Sequence, residues 1–327
     1  MGSDYSAETN ALLKMKVLNP RLRGGAALML ALWALFLLSA MIISWALDIN
    51  SRLVVSGNAG RVLDAEAMAS SGGDIALAEV ALRPKDAPNS PNLHGRLGNQ
   101  EGYDVQMRGE CGRLDVKFLT LGEDPAKLEI LRRYLTLKGV ELNDLDTMMD
   151  SLLDWVSPGQ GIHHLNACPE TDDYRPPHAP LTSVDDLKKI CGWAEFTSKP
   201  GWDKDFTVCD QCNQGIDVAW ASRDVLRALG IGDDYVDRFL QLRAGPDGVD
   251  GTADDTQFIS VQDALTRGLG LNSQQISQLQ NLIGFSFPVF RVVSIGKSGD
   301  VTRTVQMIVS GGGGLRGHPL VISWKEL

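Results

Sequence analysis

The sequence predicts an α+β protein in which a long N-terminal helix leads into a small antiparallel sheet. The two halves of that sheet are separated by a large all-α insertion. Three observations predict this class. Residues 24–47 carry no charge and run on into a helical pattern. Residues 103–119 and 287–325 alternate weakly between apolar and polar side chains, as strands do. The residues between them repeat their apolar positions every three or four, with turn-rich breaks.

The helix comes first. GGAALMLALWALFLLSAMIISWAL, from Gly24 to Leu47, is twenty-four residues without a charge. At about 1.5 Å per residue it is long enough to cross a hydrocarbon core of roughly 30 Å. Lys14, Lys16, Arg21 and Arg23 precede it and Asp48 follows, so the start is expected on the cytoplasmic side and the bulk on the other. A secretory signal has an apolar stretch of only about 7–15 residues before its cleavage site, and this one is longer. The pattern continues through Leu53, Val54, Leu63, Met68, Ile75, Leu77, Val80 and Leu82, with Arg52, Arg61, Asp64 and Glu66 between, and Pro84 is a natural stop. Gly57, Gly60 and the Gly72–Gly73 pair each cost about 1 kcal/mol relative to Ala and are the places where the helix could break.

Beyond it, residues 103–119 read as two short strands around Gly109–Gly112, residues 125–156 as helix, and residues 157–182 as loop. Short helices fill 181–282, and residues 287–325 return to strands, with turns at Lys297–Asp300 and the Gly311–Gly314 run. Overall composition excludes whole-chain disorder and multi-span membrane proteins, since 43% of the 327 residues are hydrophobic and 22% charged. A net charge of −10 argues against nucleic-acid binding by bulk charge. No Gly-x-Ser-x-Gly, phosphate-binding loop, dinucleotide fingerprint or HExxH is present, so no enzyme is expected.

Three constellations could carry chemistry. AGPDGVDGTADDT sets Asp247, Asp250, Asp254 and Asp255 within nine residues, separated by Gly248 and Gly251. Oxygen ligands on a tight turn suit calcium, though the spacing is not that of an EF-hand; the alternative is a solvated acidic turn. A second acidic stretch comprises Asp154, Glu170, Asp172 and Asp173, and His163, His164 and His178 read as loop histidines. Cys168, Cys191, Cys209 and Cys212 lie within forty-five residues, the last two as Cys-x-x-Cys. On the exported side of the membrane, an oxidising compartment, two disulfides among these four are the expectation, with zinc or free thiols as alternatives. Cys111 reads as a buried small hydrophobe. Finally, DVLRALGIGDDYVDRFLQLRAG fits a helix–hairpin–helix about Gly230-Ile231-Gly232, which in DNA-binding proteins offers backbone N–H groups to phosphates. Asp233, Asp234 and Asp237 compete for the same helix N-terminus, so packing is the expected role.

A basic leader, then RGG, then an apolar helix that turns amphipathic resembles the type IV pilins and the type II secretion pseudopilins. Within that group the chain resembles the K-type minor pseudopilins. The segments YDVQMRGECGRLDVKFL, DSLLDWVSP, DDYRPPHAPLTSVDDLKKICGW, GIDVAWASRDVLRALGI and the tail from FPVFRVVSIGKSG onward follow the family's order and spacing. The resemblance implies a leader of residues 1–25 removed by a prepilin peptidase between Gly25 and Ala26, although a start at Met15 would give the leader its usual length. It also implies a helix at 26–83, a pilin-like sheet domain at 84–121 and 284–327, and an inserted helical domain at 122–283. Leu30 falls at the fifth mature position, where most pilins carry glutamate; its absence matches the K type and suits a subunit with nothing stacked above it. The implied protein is a single-pass inner-membrane subunit of a Gram-negative bacterium with a periplasmic head. It would be non-catalytic, sit at the pseudopilus tip to initiate or cap assembly, and carry bound calcium in the helical domain. Its partners would be I- and J-type minor pseudopilins and the major pseudopilin. Ser157 and Gly159 fall where relatives often carry aspartates, against a second metal site at Asp154. The alternative is a membrane-tethered DNA receptor of the competence type. It is opposed by the net charge, which becomes −12 without the four basic and two acidic residues of 1–25.

Overall fold

The computed structural model describes residues 20–158, 164–246, 248, 255–256, 258–311 and 318–327, with side chains from residue 25 onward. Residues up to Gly60 and residues from Arg61 onward form two units. In the first, the charge-free run is helical and every side chain from 25 to 60 is exposed. This is the start of α1 (Pro20–Leu82), whose helix continues without interruption through Gly57, Gly60 and Gly72–Gly73.

In the second unit the same helix becomes one layer of a domain. Its buried positions are Ala65, Ala69, Gly72, Gly73, Ala76, Glu79 and Val80, a stripe at helical spacing made almost wholly of small residues. Leu93 and Ala87 close the core beneath the helix end, where Asn92 and Arg83 donate to the buried Glu79 carboxylate at 2.7 and 2.8 Å. Strands β1 (His94–Leu97) and β2 (Glu101–Gly109) form a hairpin.

The expected second strand of this region is different. After a tight turn at Glu110–Gly112, β3 (Leu114–Asp115) lasts two residues and gives way to α2 (Val116–Thr120). Asp115 Oδ1 accepts from the Lys117 N–H at 3.1 Å and caps that helix. A run as short and apolar as Val116–Leu119 has no period that separates strand from helix; here Val116, Phe118 and Leu119 all pack into the helical core.

The insert continues through α3 (Pro125–Leu137) and α4 (Leu142–Val156), then α5 (Ala194–Ser198), β4 (Phe206–Thr207), β5 (Ile216–Asp217), α6 (Arg223–Ala228) and α7 (Asp233–Arg243). It ends with α8 (Val261–Asp263), α9 (Ser273–Leu279) and β6 (Ile283–Gly284). Trp193, Phe196, Phe206 and Tyr134 meet edge to face at its centre, and Trp193 Nε1 donates to the Met148 carbonyl at 2.9 Å.

The chain then returns to the sheet as β7 (Val289–Ser298), β8 (Val301–Ser310) and β9 (Leu320–Glu326), giving the antiparallel order β1-β2-β7-β8-β9. Val105, Met107, Phe290, Val292, Met307 and Val309 alternate inward against Ala76 and Val80 of α1. The closest approach is at Gly296, where an added Cβ would overlap the Ala65 carbonyl oxygen and the Ala69 backbone nitrogen. Gly72 is matched in turn to Ser294 and Val105.

Two-residue parallel bridges tie each end of the insert to its middle, β3 at the entry to β4 and β6 at the exit to β5. The neck is reinforced by a buried ion pair: Arg291 donates to both oxygens of Glu110 at 2.7 and 2.6 Å, and the Thr207 hydroxyl donates to the same carboxylate.

Gly296→Val should loosen the helix from the sheet, since the obstruction is backbone. A loss of about 1–3 kcal/mol is expected from overpacking, read as a lower denaturation midpoint. Gly299→Ala in the adjoining turn, where φ is 58°, serves as the control for strain alone.

Candidate assembly surface and side-chain clusters

The largest uncommitted surface is the first unit. Leu30 is 71% exposed, and Trp33, Phe36, Met41 and Trp45 along the same helix are between 63% and 73% exposed. A helix apolar all round is suited to hydrocarbon or to burial among other helices. Its mean hydropathy reaches 2.5 over eighteen residues, so by length and composition it can cross a membrane. Gly25 and Ala26 are both exposed, and nothing lies within 4 Å of where a Gly25 side chain would begin. Past Asp48 the surface turns mixed, with the Arg52–Asp48 pair at 3.0 Å beside exposed Leu53, Val54 and Val55.

The structure rearranges the expected cysteine chemistry. Cys168 pairs with Cys191 across a Cα separation of 6.2 Å, joining the loop after α4 to the turn before α5. The second disulfide is Cys111–Cys212, Cα atoms 5.0 Å apart, and Cys209 is the free, buried thiol. The expectation that Cys209 is bridged and Cys111 is the odd residue is therefore corrected. The reason is topological: β2 ends in the turn that carries Cys111, and that turn lies against the Cys209–Cys212 segment at the neck of the insert, so partners 101 residues apart in sequence become neighbours. Spacing alone has no access to such a pair. Burial pushes the Cys209 thiol up to about 11, with Glu110 and Asp115 adding to the shift.

Of the expected calcium ligands, Asp247, Asp250 and Asp254 lie outside the described residues. Asp255 is half-buried at the base of the loop, where the Thr256 N–H donates to the Arg243 carbonyl at 3.0 Å. Arg243 is itself fixed by donating to the carbonyls of Ala219 and Ala221 at 3.2 and 2.8 Å. Among the described residues, no three His, Cys, Asp or Glu side chains gather as a metal set.

The second acidic stretch does not converge either. Asp154, only 4% exposed, accepts from the His164 N–H at 2.9 Å, and its Oδ1 lies 2.5 Å from His164 Nδ1. His164 Nε2 is 3.3 Å from Glu123, while Glu170 pairs with His178 at 3.0 Å and Asp172 with Arg175 at 2.9 Å. Asp173 is exposed, and His163 lies outside the described residues. His164 thus bridges two carboxylates from the end of α4 and the turn before α3. Nothing in the loop sequence singled it out above its neighbours.

The hairpin expectation can be weighed residue by residue. Gly230, φ 87°, turns the chain between α6 and α7, and Arg223 and Arg227 face the next helix. They pair with Asp237 at 2.9 Å and Asp233 at 2.6 Å, while Arg133, whose guanidinium lies against Gly230, pairs with Glu129 at 2.9 Å, so each of these cations is engaged by an acid. Leu226, Leu229, Ile231, Val236 and Phe239 go into the core. The hairpin packs.

No protein-family model matches the sequence, and no curated protein matches it. In fold, the chain is similar to one solved in the crystal structure of the GspK-GspI-GspJ complex of the enterotoxigenic Escherichia coli type 2 secretion system. The TM-score is 0.60 at 13% identity, covering 84% of this chain and 99% of that one. The class is thus an α+β pseudopilin fold: a long apolar helix, an antiparallel sheet and many further helices.

Burial works against a charged His164, but its hydrogen bonds to Asp154 and Glu123 outweigh that and raise its pKa above the ordinary 6.5. The stability from this bridge is therefore full below 6.5 and fades as the pH rises through the raised folded value. Melting temperature should fall with rising pH above 6.5 in the native chain, and His164→Gln should flatten that part of the profile. Parallel profiles would assign the bridge no net role.

Proposed function

We infer that the chain is a non-catalytic minor pseudopilin of a type II secretion system, working by assembly. One observation carries this most: a helix apolar on every side, joined in sequence to a helix-on-sheet head that carries a large helical insert. The first part suits extraction from an inner membrane into a bundle of neighbouring helices; the second makes a head poorly suited to the interior of a helical stack. In this reading a prepilin peptidase cuts between Gly25 and Ala26 and the head is periplasmic. The subunit joins I- and J-type minor pseudopilins at the tip, above the major pseudopilin. Leu30 supports the tip position, because it gives a neighbouring amine above it no carboxylate to meet. The acids paired with Arg223 and Arg227 weigh against a nucleic-acid partner.

Calcium belongs to the same reading. Asp247, Asp250, Asp254 and Asp255 would hold one ion, oxygen donors on a loop whose base is tied by Thr256 and Arg243. A metal bound only by the folded state adds RT ln(1 + [L]/Kd), about 2.7 kcal/mol at a hundredfold excess over Kd. Chelator should lower the melting temperature, and calcium alone should restore it. An unchanged curve, with no metal found by elemental analysis, removes calcium from the proposal.

Two substitutions test processing and position. Gly25→Trp should leave residues 1–25 attached, seen by intact mass of the membrane-bound protein; a native N-terminus beyond Ser39 would contradict the whole reading. Leu30→Glu should leave secretion near normal, since no subunit above depends on that position. Insertion should suffer less than the roughly 2.5–3.5 kcal/mol of an acid at a span's centre. A large gain or loss of secretion places this subunit within the stack rather than at its tip.

A further inference from the structure

Three cysteines at the neck of the insert outnumber the one disulfide they form. Cys111, Cys209 and Cys212 are each about 1% exposed and pack as one cluster with Val289 and Ile308. Beside them lies Asp115, 2% exposed, whose Oδ2 is one of two buried side-chain polar atoms among the described residues without a hydrogen-bond partner. A buried carboxylate with an idle oxygen is costly unless it serves something. The Cys209 and Lys117 amides favour the charged carboxylate and Asp115 in turn raises the thiol, while the thiol itself donates to Gln211 Oε1 at 3.4 Å. Burial pushes the Asp115 carboxyl up to about 7, so near neutral pH it can both give and take a proton.

Sequence order adds a second, independent argument. Cys209 and Cys212 are three residues apart, while Cys111 and Cys212 are 101 apart. By chain entropy alone the local pair meets on the order of a hundred times more readily in an unfolded chain. The turn carrying Cys111 is fixed only when β2 pairs with β7, Gly109 against Phe290, and β7 begins well after Cys212. The bond that forms most readily is therefore not the bond the fold contains.

We propose that Cys209, Cys212, Cys111 and Asp115 form a disulfide-exchange centre, in which Cys212 is first bonded to Cys209 and is handed to Cys111 as the sheet closes. Cys111 loses its proton to solvent and attacks Cys212 Sγ. The Cys111–Cys212 bond forms as the Cys209–Cys212 bond breaks, and Cys209 leaves as a thiolate that Asp115 protonates. Asp115 recovers its proton from solvent, so the step is an isomerisation with no net oxidation. The initial Cys209–Cys212 bond is made by exchange with an external disulfide, which is reduced to two thiols. Cys209 is the leaving group of this transfer, and Asp115 its proton donor.

The test is oxidative refolding of the full chain in detergent with a glutathione redox buffer, quenched with a thiol-blocking reagent and mapped by peptide mass. The expected record is a Cys209–Cys212 peptide that rises and then decays into Cys111–Cys212. Asp115→Asn should reach the same final pairing but slow the handover by roughly tenfold or more. As a check on the native fold, Cys111→Ser should trap Cys209–Cys212. The proposal is overturned if Cys111–Cys212 forms at the same rate in Cys209→Ser with no local species in the native chain. It is equally overturned if Cys111→Ser keeps both remaining thiols free while Cys168–Cys191 forms normally.

Discussion

The contact between α1 and the sheet sets the dimensions of everything around it. At Gly296 the strand backbone meets the helix backbone with no room for a single carbon, because Ala65 and Ala69 lie directly over it. Dispersion is small for each atom pair and adds up over a close fit such as this one, where steric repulsion excludes any added volume. The small stripe from Ala65 to Ala76 is therefore a geometric requirement. It also explains why Gly72 survives mid-helix: the propensity lost there is offset by a close fit against Ser294 and Val105. Where the stripe ends, Val80 and the Glu79 network with Asn92 and Arg83 take over and fix the helix end.

A second constraint acts at the neck. Glu110 is wholly buried and is held by Arg291 of β7, the Thr207 hydroxyl of β4 and, at 3.6 Å, Arg113. Breaking one partner of such a group leaves a charge stranded, which is why these pairs fix geometry more than they add stability. Asp217 does the same on the return path, accepting from the N–H groups of Ala219 and Phe287 at 3.0 Å each. Burial raises the Asp217 pKa to about 6, against the pull of those donors. Between Glu110 and Asp217, both crossings of the neck are defined by buried carboxylates, one of them held by a side chain of the sheet, Arg291.

Much of this was legible in the sequence wherever a pattern repeats. The uninterrupted helix, the alternation of β7 and β8, and the periodicity of α3 and α4 each extend over ten residues or more. Short elements were not legible. Val116–Thr120 could be strand or helix until Asp115 is seen capping it, and the two-residue bridges leave no pattern at all. Pairings at long range were least visible: Cys111 with Cys212, Glu110 with Arg291, and Asp154 with His164 depend on where the chain returns, not on local spacing. The membrane-compatible helix was read correctly from charge alone, while the acidic loop offers only composition and a tied base.

One feature of the topology bears on how such heads vary. The insert leaves the sheet at Gly109 and re-enters at Val289, and Gly109 is paired with Phe290. Its two ends are therefore one strand spacing apart, about 4.8 Å, the gap that a two-residue hairpin turn spans. The sheet places no demand on the size of what hangs between these strands. A chain with a tight turn in place of residues 110–288 would keep its register, needing polar replacements for Val289 and Ile308, which pack against the neck. Conversely, the opening accepts any module whose termini lie that close. Heads of this architecture can thus exchange or enlarge a whole domain at one point without re-solving the fit between helix and sheet.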